Sequence, residues 1–171
     1  MVMSEQVEIM KVEGLDEPKR GQLAELLIYV VADGASVGFL APLSRDEALD
    51  YWDHVLGPDV LLWAAAINGK VVGTVQLHLA MKANGAHRAE VAKLMVHPGY
   101  RKKGIGRRLM ERVERAALEE RRSLLILDTR EGDPSNLLYQ SLGYRAVGRI
   151  PGYARSSDGR LGATVFYYKQ L

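Results

Sequence analysis

At 171 residues, the chain has the length of one domain, so a single domain over residues 1–171 is expected. Its apolar share of 47% and charged share of 26% are those of an ordinary globular protein. The net charge of +2 provides no global field that would attract nucleic acid or a membrane surface, so neither is expected as a partner.

Cysteine is absent from the sequence, which excludes disulfides, thiolate zinc sites and a cysteine nucleophile. The chain does not open with a basic segment followed by an apolar run, so no secretory signal is predicted. Its apolar runs are too short to span a bilayer. These features predict a protein of the reducing cytoplasm.

The first third of the chain predicts one strand and two helices. Val7–Val12 has the composition of a short strand. Apolar residues at helical spacing within Gln22–Val31 predict an amphipathic helix, and Gly34 stands where a glycine ends such a helix. Ser44–Glu47 is a capping box that begins a second helix, which Gly57-Pro58 stops.

An antiparallel sheet is predicted next. Val60–Ile67 and Val71–Leu79 are apolar runs joined around Asn68-Gly69, the dipeptide of a tight hairpin. A second turn at Asn84-Gly85 precedes a strand over Glu90–Val96. Turns this short leave no room for a crossover connection, so these strands run antiparallel.

The second half of the chain begins with a strand–helix–strand unit. A helix with one apolar face follows the glycines after Val96 and leads to the apolar run Leu124–Leu127. That order predicts a right-handed crossover and a parallel strand pair. A shorter helix over Pro134–Leu142 and a last strand at Val165–Tyr168 follow. The fold class is α/β, with a mostly antiparallel sheet and one parallel step.

Gly34-Ala-Ser-Val-Gly38, called the GASVG segment below, matches the pattern G-x-S-x-G, which positions a serine nucleophile in many hydrolases. That motif works only where a strand turns sharply into a helix. Here a predicted helix precedes it, and Phe39-Leu-Ala-Pro42, which is no helix start, follows it. Ser36 is therefore not predicted to be a nucleophile.

The turn Arg101–Arg107 lies between a predicted strand and a helix N-terminus, where unpaired backbone N–H groups and the helix dipole favour an anion. Gly104 and Gly106 let the backbone close around it without Cβ interference, so the turn suits a pyrophosphate. The alternatives are a solvated basic helix start and a dinucleotide site. The dinucleotide fingerprint lacks its third glycine because Leu109 occupies that place.

Two motifs carry a family resemblance. Val96–Gly106 resembles the acetyl-coenzyme A motif [QR]-x-x-G-x-[GA] of the GNAT superfamily of N-acetyltransferases, and Leu137–Tyr144 resembles its later landmark, a Tyr followed by x-x-x-G-[FY]. Their order and separation cover residues from about 60 to 150. The resemblance implies a GNAT-type mixed sheet flanked by helices, with its parallel β-α-β step at strands 4 and 5.

Further segments are similar to GNAT enzymes that acetylate a small, amino-acid-like β-lactam toxin. They are Gly34–Phe39, Leu61–Trp63, Arg88–Val91, Lys93–Val96, Leu127–Thr129, Pro151–Tyr153 and Asp158–Leu161. The resemblance implies acetyl-CoA as cosubstrate and a small-molecule amine, such as an amino-acid-like toxin or antibiotic, as acceptor. A monomer or homodimer is expected. Protein N-terminal or lysine acetylation and a non-catalytic acyl-CoA sensor are the alternatives.

The resemblance also implies roles for individual residues. Glu90 and Asp128 lie near the reacting centre as candidate bases, and Tyr139 is the candidate acid for the leaving thiolate. The alternatives are a strand-end charge for Glu90, a turn carboxylate for Asp128 and a core residue for Tyr139. Because no cysteine exists to carry an acyl group, direct attack of the amine in a ternary complex is predicted.

Cofactor contacts are implied at the strand before the turn, if it bulges and splays from its parallel neighbour, and at the turn itself. These residues are Leu94, Met95, Val96, Arg101, Lys102, Lys103, Gly104, Ile105, Gly106 and Arg107. One departure is Gly132, which stands where many family members have an Asn seven residues before the Tyr. Asn136 is near that position but out of register.

The acceptor pocket is implied at the segment between the first two helices and near the C-terminus. Asp33, Ser36 and Phe39 supply a charge, a hydroxyl and a ring suited to a small zwitterion, and Tyr153 closes the other side. The four histidines show no metal-ligand spacing, so no metal is expected.

Overall fold

A seven-stranded mixed sheet organises residues 6–171, the part of the chain that the computed structural model describes. The prediction about a secretory signal falls mainly on residues 1–5, outside this part. The strands are β1 (Val7–Lys11), β2 (Val60–Ile67), β3 (Lys70–Leu79), β4 (Arg88–Val96), β5 (Leu124–Arg130), β6 (Arg145–Arg155) and β7 (Leu161–Gln170). The helices are α1 (Lys19–Ala32), α2 (Arg45–Asp53), α3 (Ile105–Glu119) and α4 (Ser135–Ser141).

The sheet order is β1-β2-β3-β4-β5-β7-β6, and only the β4–β5 pair is parallel. The predicted α/β class with one parallel step is therefore confirmed. Within residues 6–171, no helix combines the length and the apolar character that a membrane crossing requires.

Local signals in the sequence locate the C-terminus of α1 and the N-terminus of α2. The N–H of Gly34, at a φ of 90°, donates to the carbonyl of Val31 and ends α1 as predicted. At α2, the Ser44 hydroxyl accepts from the N–H of Glu47 and the Glu47 carboxylate accepts from the N–H of Ser44, so the capping box forms. The helix ends at Asp53, four residues before the predicted Gly57 stop.

Two apolar layers cover the sheet. On one face, α3 packs against β2, β3 and β4 over a core that includes Leu109, Val113 and Leu125. On the other face, α1 packs on β3 and β4 and on α2, where the indole of buried Trp52 donates to the carbonyl of Leu23. The residues of this second layer come from α1, α2, the neighbouring loops and β1–β4, and none comes from β5, β6 or β7.

The most consequential irregularity is a bulge in β4. Thr74 of β3 pairs with Met95 while Gln76 pairs with Ala92, so β4 carries one extra residue between them. Lys93 lies at this point with a φ of 53°. The bulge reverses the inward alternation: Val91 joins the core beneath α3 before it, whereas Met95 joins the opposite core after it.

β4 also separates early from its parallel neighbour. It pairs with β5 only over Arg88–Glu90, opposite Leu124–Ile126, while β5 pairs with β7 along its whole length. The backbone edge of Leu94–Val96 that faces β5 is therefore outside the ladder. The bulge and the splay on which the predicted cofactor contacts depended are both present.

Gly73 allows the bulged strand to approach β3. A Cβ on Gly73 would lie 2.9 Å from the carbonyl oxygen of Met95 and 3.2 Å from Leu109 Cδ1. We expect Gly73→Ala to lower the free energy of unfolding by about 1–3 kcal/mol, because backbone must shift to admit the methyl group. Chemical denaturation measures this. Gly148→Ala is the control, since no atom lies within 4 Å of its added Cβ; equal losses in both variants would contradict the crowding argument.

Candidate active site

The turn between β4 and α3 has the backbone of an anion site. Lys102 has a φ of 60° and Gly104, which caps α3, a φ of 75°. These left-handed residues turn the chain so that α3 begins at Ile105, with no acidic residue in its first turn. The first N–H groups of α3 lack intrahelical acceptors, and the helix dipole is positive there.

The side chains of this turn have different neighbours. The Arg101 guanidinium donates to Asp33 at 2.5 Å and to the carbonyl of Val96 at 3.3 Å. Arg107 donates to the Ser141 hydroxyl at 2.6 Å, which joins α3 to α4. The side chain of Ile105 is buried in the core, so this residue can offer only its backbone to an anion.

Gly106 lies where α3, α4 and β4 converge. A Cβ at this position would lie 3.3 Å from Leu138 Cδ2 and 3.9 Å from Val96 Cγ2. The absence of that Cβ keeps the start of α3 close to the free edge of β4. A free strand edge that leads to unpaired amides fits a long ligand with a pantetheine arm and a diphosphate.

Glu90 and Asp128 lie on the same face of the sheet. Glu90 pairs in register with Ile126, and Asp128 follows two residues later on β5, so both side chains project away from α3. Partial burial raises the pKa of Glu90, and the negative charge of Asp128 raises it further. Burial also raises the pKa of Asp128, while Lys93 acts to lower it.

Tyr139 projects from α4 into the core on the other side of the sheet. Its ring centroid lies 5.9 Å from that of Tyr144 and 6.0 Å from that of Tyr167. Only 6% of the residue is exposed, and its hydroxyl makes no hydrogen bond to any other described residue. Burial raises the pKa of Tyr139 above its ordinary value, and the charge of Asp128 adds to that rise.

Asn136 is occupied by structural contacts. Its amide donates to the carbonyls of Arg130 and Asp133, and its oxygen accepts from the Tyr167 hydroxyl at 2.8 Å. These bonds fix the connection from β5 to α4. Asn136 therefore serves the fold at this point, and Gly132 brings no side chain to the position of the family Asn.

The GASVG segment is an exposed loop between two helices. No strand precedes Ser36 and the next helix begins only at Arg45, so the geometry of a nucleophile elbow is absent from this described segment. The Phe39 ring contacts Tyr51 edge-on at 5.1 Å. Both rings also line an open cavity of about 420 Å³ beside α2, which does not include Glu90 or Asp128.

Three contacts hold this loop in place. The Arg130 guanidinium donates to the carbonyl of Gly34 at 2.8 Å, and Asp33 pairs with Arg101. On the far side, the N–H of Ala41 donates to the Ser157 hydroxyl at 2.9 Å. The loop is thereby joined to the end of β5, to the turn that precedes α3 and to the β6–β7 hairpin.

Tyr153 lies on β6, and 51% of it is exposed. Its ring packs edge-on against Phe166 at 5.4 Å, and Phe166 pairs in register with Asp128. Tyr153 is therefore on the same side of the sheet as the carboxylates, at the open face of β7. Of the predicted acceptor residues, Ser36 and Tyr153 present exposed side chains, whereas Asp33 is paired with Arg101.

Lys93 and Arg130 were missed by the sequence analysis. A regular strand would have turned Lys93 towards α3, away from Glu90, and only the bulge reverses its direction. Arg130 follows Asp128 by two residues, but its loop contacts span 96 positions of sequence. The sequence shows that both residues are basic, but it does not show which distant residues they contact.

The pKa of Glu90 should fall when the charge of Asp128 is removed, because Asp128 is one of its two causes of elevation. Carboxyl NMR titration of Asp128→Asn should therefore show Glu90 losing its proton at lower pH than in the unaltered protein. Asp158→Asn, on the exposed hairpin, is the control and should leave Glu90 unchanged. An unchanged Glu90 titration in Asp128→Asn would show that the two carboxylates do not interact.

Thermal stability provides a second measurement on Asp128→Asn. Because the folded state raises the pKa of Asp128, it disfavours the ionised form, and stability falls as pH rises through that pKa. The neutral amide removes this penalty. At neutral pH the melting temperature of Asp128→Asn should be equal to or higher than that of the unaltered protein; a clear decrease would mean that ionised Asp128 supports the fold.

A family model described as the acetyltransferase (GNAT) family matches residues 25–144. N-acetylaspartate synthetase of Danio rerio is 29% identical over 164 residues, covering 80% of this chain and 57% of that protein. The corresponding protein of Xenopus tropicalis is 32% identical over 119 residues, covering 66% of this chain and 42% of that protein. The chain spans about half the length of these curated relatives.

Solved structures share the fold. Ribosomal-protein-alanine N-acetyltransferase from Brucella melitensis has a TM-score of 0.79 at 19% identity, covering 96% of this chain and 99% of that one. The yncA protein of Salmonella typhimurium, solved with its cofactor acetyl-CoA, has a TM-score of 0.78 at 19% identity, with coverage of 96% and 94%. With a family model over most of its length and a mixed sheet split at β4–β5, the chain belongs to the acetyltransferase (GNAT) family.

Proposed function

We propose that this protein transfers the acetyl group of acetyl-CoA to the amine of a small molecule. The observation that carries the proposal is the pair Glu90 and Asp128, whose pKa values are both raised, beside the point where β4 leaves β5. The thioester supplies the acetyl group. The free edge of Leu94–Val96 and the turn from Arg101 to Arg107 hold the carrier.

The two carboxylates prepare the acceptor. An ammonium group has no lone pair, so it must lose a proton before it can attack a carbonyl carbon. A carboxylate with a raised pKa is a stronger base than an ordinary one, while it remains ionised in a useful pH range. Glu90 or Asp128 takes this proton directly or through water, and the neutral amine then attacks in a ternary complex.

Tyr139 acts on the departing thiolate. Its raised pKa keeps the phenol protonated throughout the physiological range, so it is a hydrogen-bond donor whenever the site is loaded. The phenol donates a hydrogen bond to the sulfur as the C–S bond breaks, and a proton that it delivers there is replaced by the one that the attacking amine releases. The products are the neutral thiol, whose ordinary pKa is near 8.5, and the amide. The lack of any other hydrogen-bond partner for this hydroxyl among the described residues leaves it available.

The acceptor is a small molecule rather than a protein in this proposal. The loop that carries Ser36 and Phe39 is tethered to Arg130 at the end of β5 and to Ser157 of the β6–β7 hairpin, and such a tethered loop favours a small acceptor over an extended peptide. The relative from Danio rerio is named for an acetylated amino acid, which supports an acceptor of that size. The resemblance of several segments to GNAT enzymes that acetylate an amino-acid-like β-lactam toxin points to such a toxin or an antibiotic as the acceptor, and a cytoplasmic enzyme would meet such a compound.

Release of coenzyme A tests the proposal. Acetyl-CoA is supplied to the purified protein with amino acids, β-lactams, aminoglycosides and short peptides in separate reactions. Amine-dependent release with at least one small molecule is the expected result. Release only with peptides would favour protein acetylation, and acetyl-CoA binding without any amine-dependent release would identify a sensor.

Replacing Tyr139 with Phe removes one hydroxyl and keeps the ring contacts with Tyr144 and Tyr167. We expect kcat to fall about 10- to 100-fold, because the thiolate loses its proton donor. The melting temperature should change little. Tyr144→Phe is the matched control, since that hydroxyl is buried in the same aromatic cluster; an equal loss of kcat in both variants would assign Tyr139 to packing alone.

Ser36→Ala tests the GASVG loop. If Ser36 contacts the acceptor and is no nucleophile, the variant should show a moderate rise in KM or a moderate fall in kcat, of about 3- to 10-fold, as for the loss of one hydrogen bond. Steady-state kinetics and intact-protein mass spectrometry measure both possibilities. Complete loss of activity, together with an acetylated Ser36 in the unaltered protein, would overturn this role.

A further inference from the structure

Lys93 is a half-buried cation at the bulge of β4. Its backbone φ of 53° at the β4 bulge turns the side chain towards the carboxylate face of the sheet. Nζ lies 6.0 Å from the centre of the Tyr51 ring. It also lies 3.4 Å from the position that a Cβ on Gly38 would occupy, so the ammonium group reaches the GASVG loop.

The ammonium group of Lys93 forms no ion pair within 4.0 Å of any carboxylate in the described part of the chain. Glu90 and Asp128 interact with it only at longer range, and both favour its charged form against burial. A partly buried cation normally binds an anion, since desolvation without a partner is unfavourable. The surroundings of Lys93 therefore favour binding of a ligand that carries a negative group.

We propose that Lys93 binds a carboxylate of the acceptor and so selects amines that carry an acid group, as amino acids do. This inference rests on the proposed acetyl transfer and names its substrate class. Glu90 and Asp128 provide two negative groups for the acceptor ammonium, and Lys93 provides a positive group for its carboxylate. Opposite charges on one small molecule thus meet opposite charges on one face of the sheet.

Two neighbouring features support this arrangement. Gly38, at a φ of 92°, leaves the space above Nζ open where another residue would place a side chain. The Tyr51 hydroxyl accepts from buried Gln76, whose oxygen is bonded to His78 at 2.8 Å. This network fixes the Tyr51 ring that borders the ammonium, so Lys93 has a rigid wall on one side and an open loop on the other.

The test compares amino acids with their primary amides, which keep the amine and replace the carboxylate by a neutral group. Lys93→Met should lower kcat/KM about 10- to 100-fold for the acids, as for loss of a charge-assisted hydrogen bond, and less than about 3-fold for the amides. Each substrate is compared between Lys93→Met and the unaltered protein, so the difference in amine basicity between an acid and its amide cancels. Lys93→Arg should recover part of the activity with the acids.

Lys82→Met, on the exposed turn before β4, is the matched control and should leave both substrate series unchanged. Equal losses for acids and amides in Lys93→Met would overturn the proposal and assign Lys93 to the balance of charge around Glu90 and Asp128. That outcome would leave the proposed acetyl transfer standing. No turnover with any amine would overturn both.

A measurement on the unaltered protein covers the case in which Lys93→Met does not fold. Carboxylic acids that lack the amine should inhibit competitively against the acceptor, and their amides should not. Inhibition by both series to the same extent would contradict a carboxylate site at Lys93.

Discussion

The early separation of β4 from β5 is the constraint on which the candidate site depends. A parallel pair that closed along its whole length would bury the backbone of Leu94–Val96 in the ladder and leave no edge for a ligand. The pairing ends at Glu90, because the bulge at Lys93 redirects β4 while β5 stays with β7. The same bulge turns Lys93 onto the carboxylate face, so one extra residue shapes both the proposed cofactor edge and the proposed acceptor face.

Much of the fold could be predicted from the sequence because its signals are local. The capping box at Ser44, the Asn68-Gly69 hairpin and the glycine at the end of α1 each depend on a few neighbouring residues, and each is found where predicted. The parallel step followed from the strand–helix–strand order, since crossover handedness is nearly invariant. The bounds of elements shifted by a few residues, as at α2, because helix ends also respond to tertiary packing.

The candidate site could be predicted from the sequence only in part. The turn around Gly104 has a spacing that sequence alone displays, and the carboxylates Glu90 and Asp128 were assigned through family resemblance. Lys93 was missed because period-two alternation points it away from Glu90, and no sequence signal marked the bulge. Arg130 was missed because its partner Gly34 lies close to it only in the folded protein. Long-range contacts of this kind become visible when the topology is known.

The tether between Arg130 and the GASVG loop has an evolutionary consequence. Arg130 contacts the carbonyl oxygen of Gly34, an atom that every amino acid possesses, and the contact from Ser157 is likewise to the backbone of Ala41. Apart from Asp33, whose carboxylate pairs with Arg101, side chains along this segment can therefore be exchanged without loss of these contacts. Substitutions at a few loop positions can therefore change the acceptor during evolution, while the strands that carry Glu90 and Asp128 keep their positions.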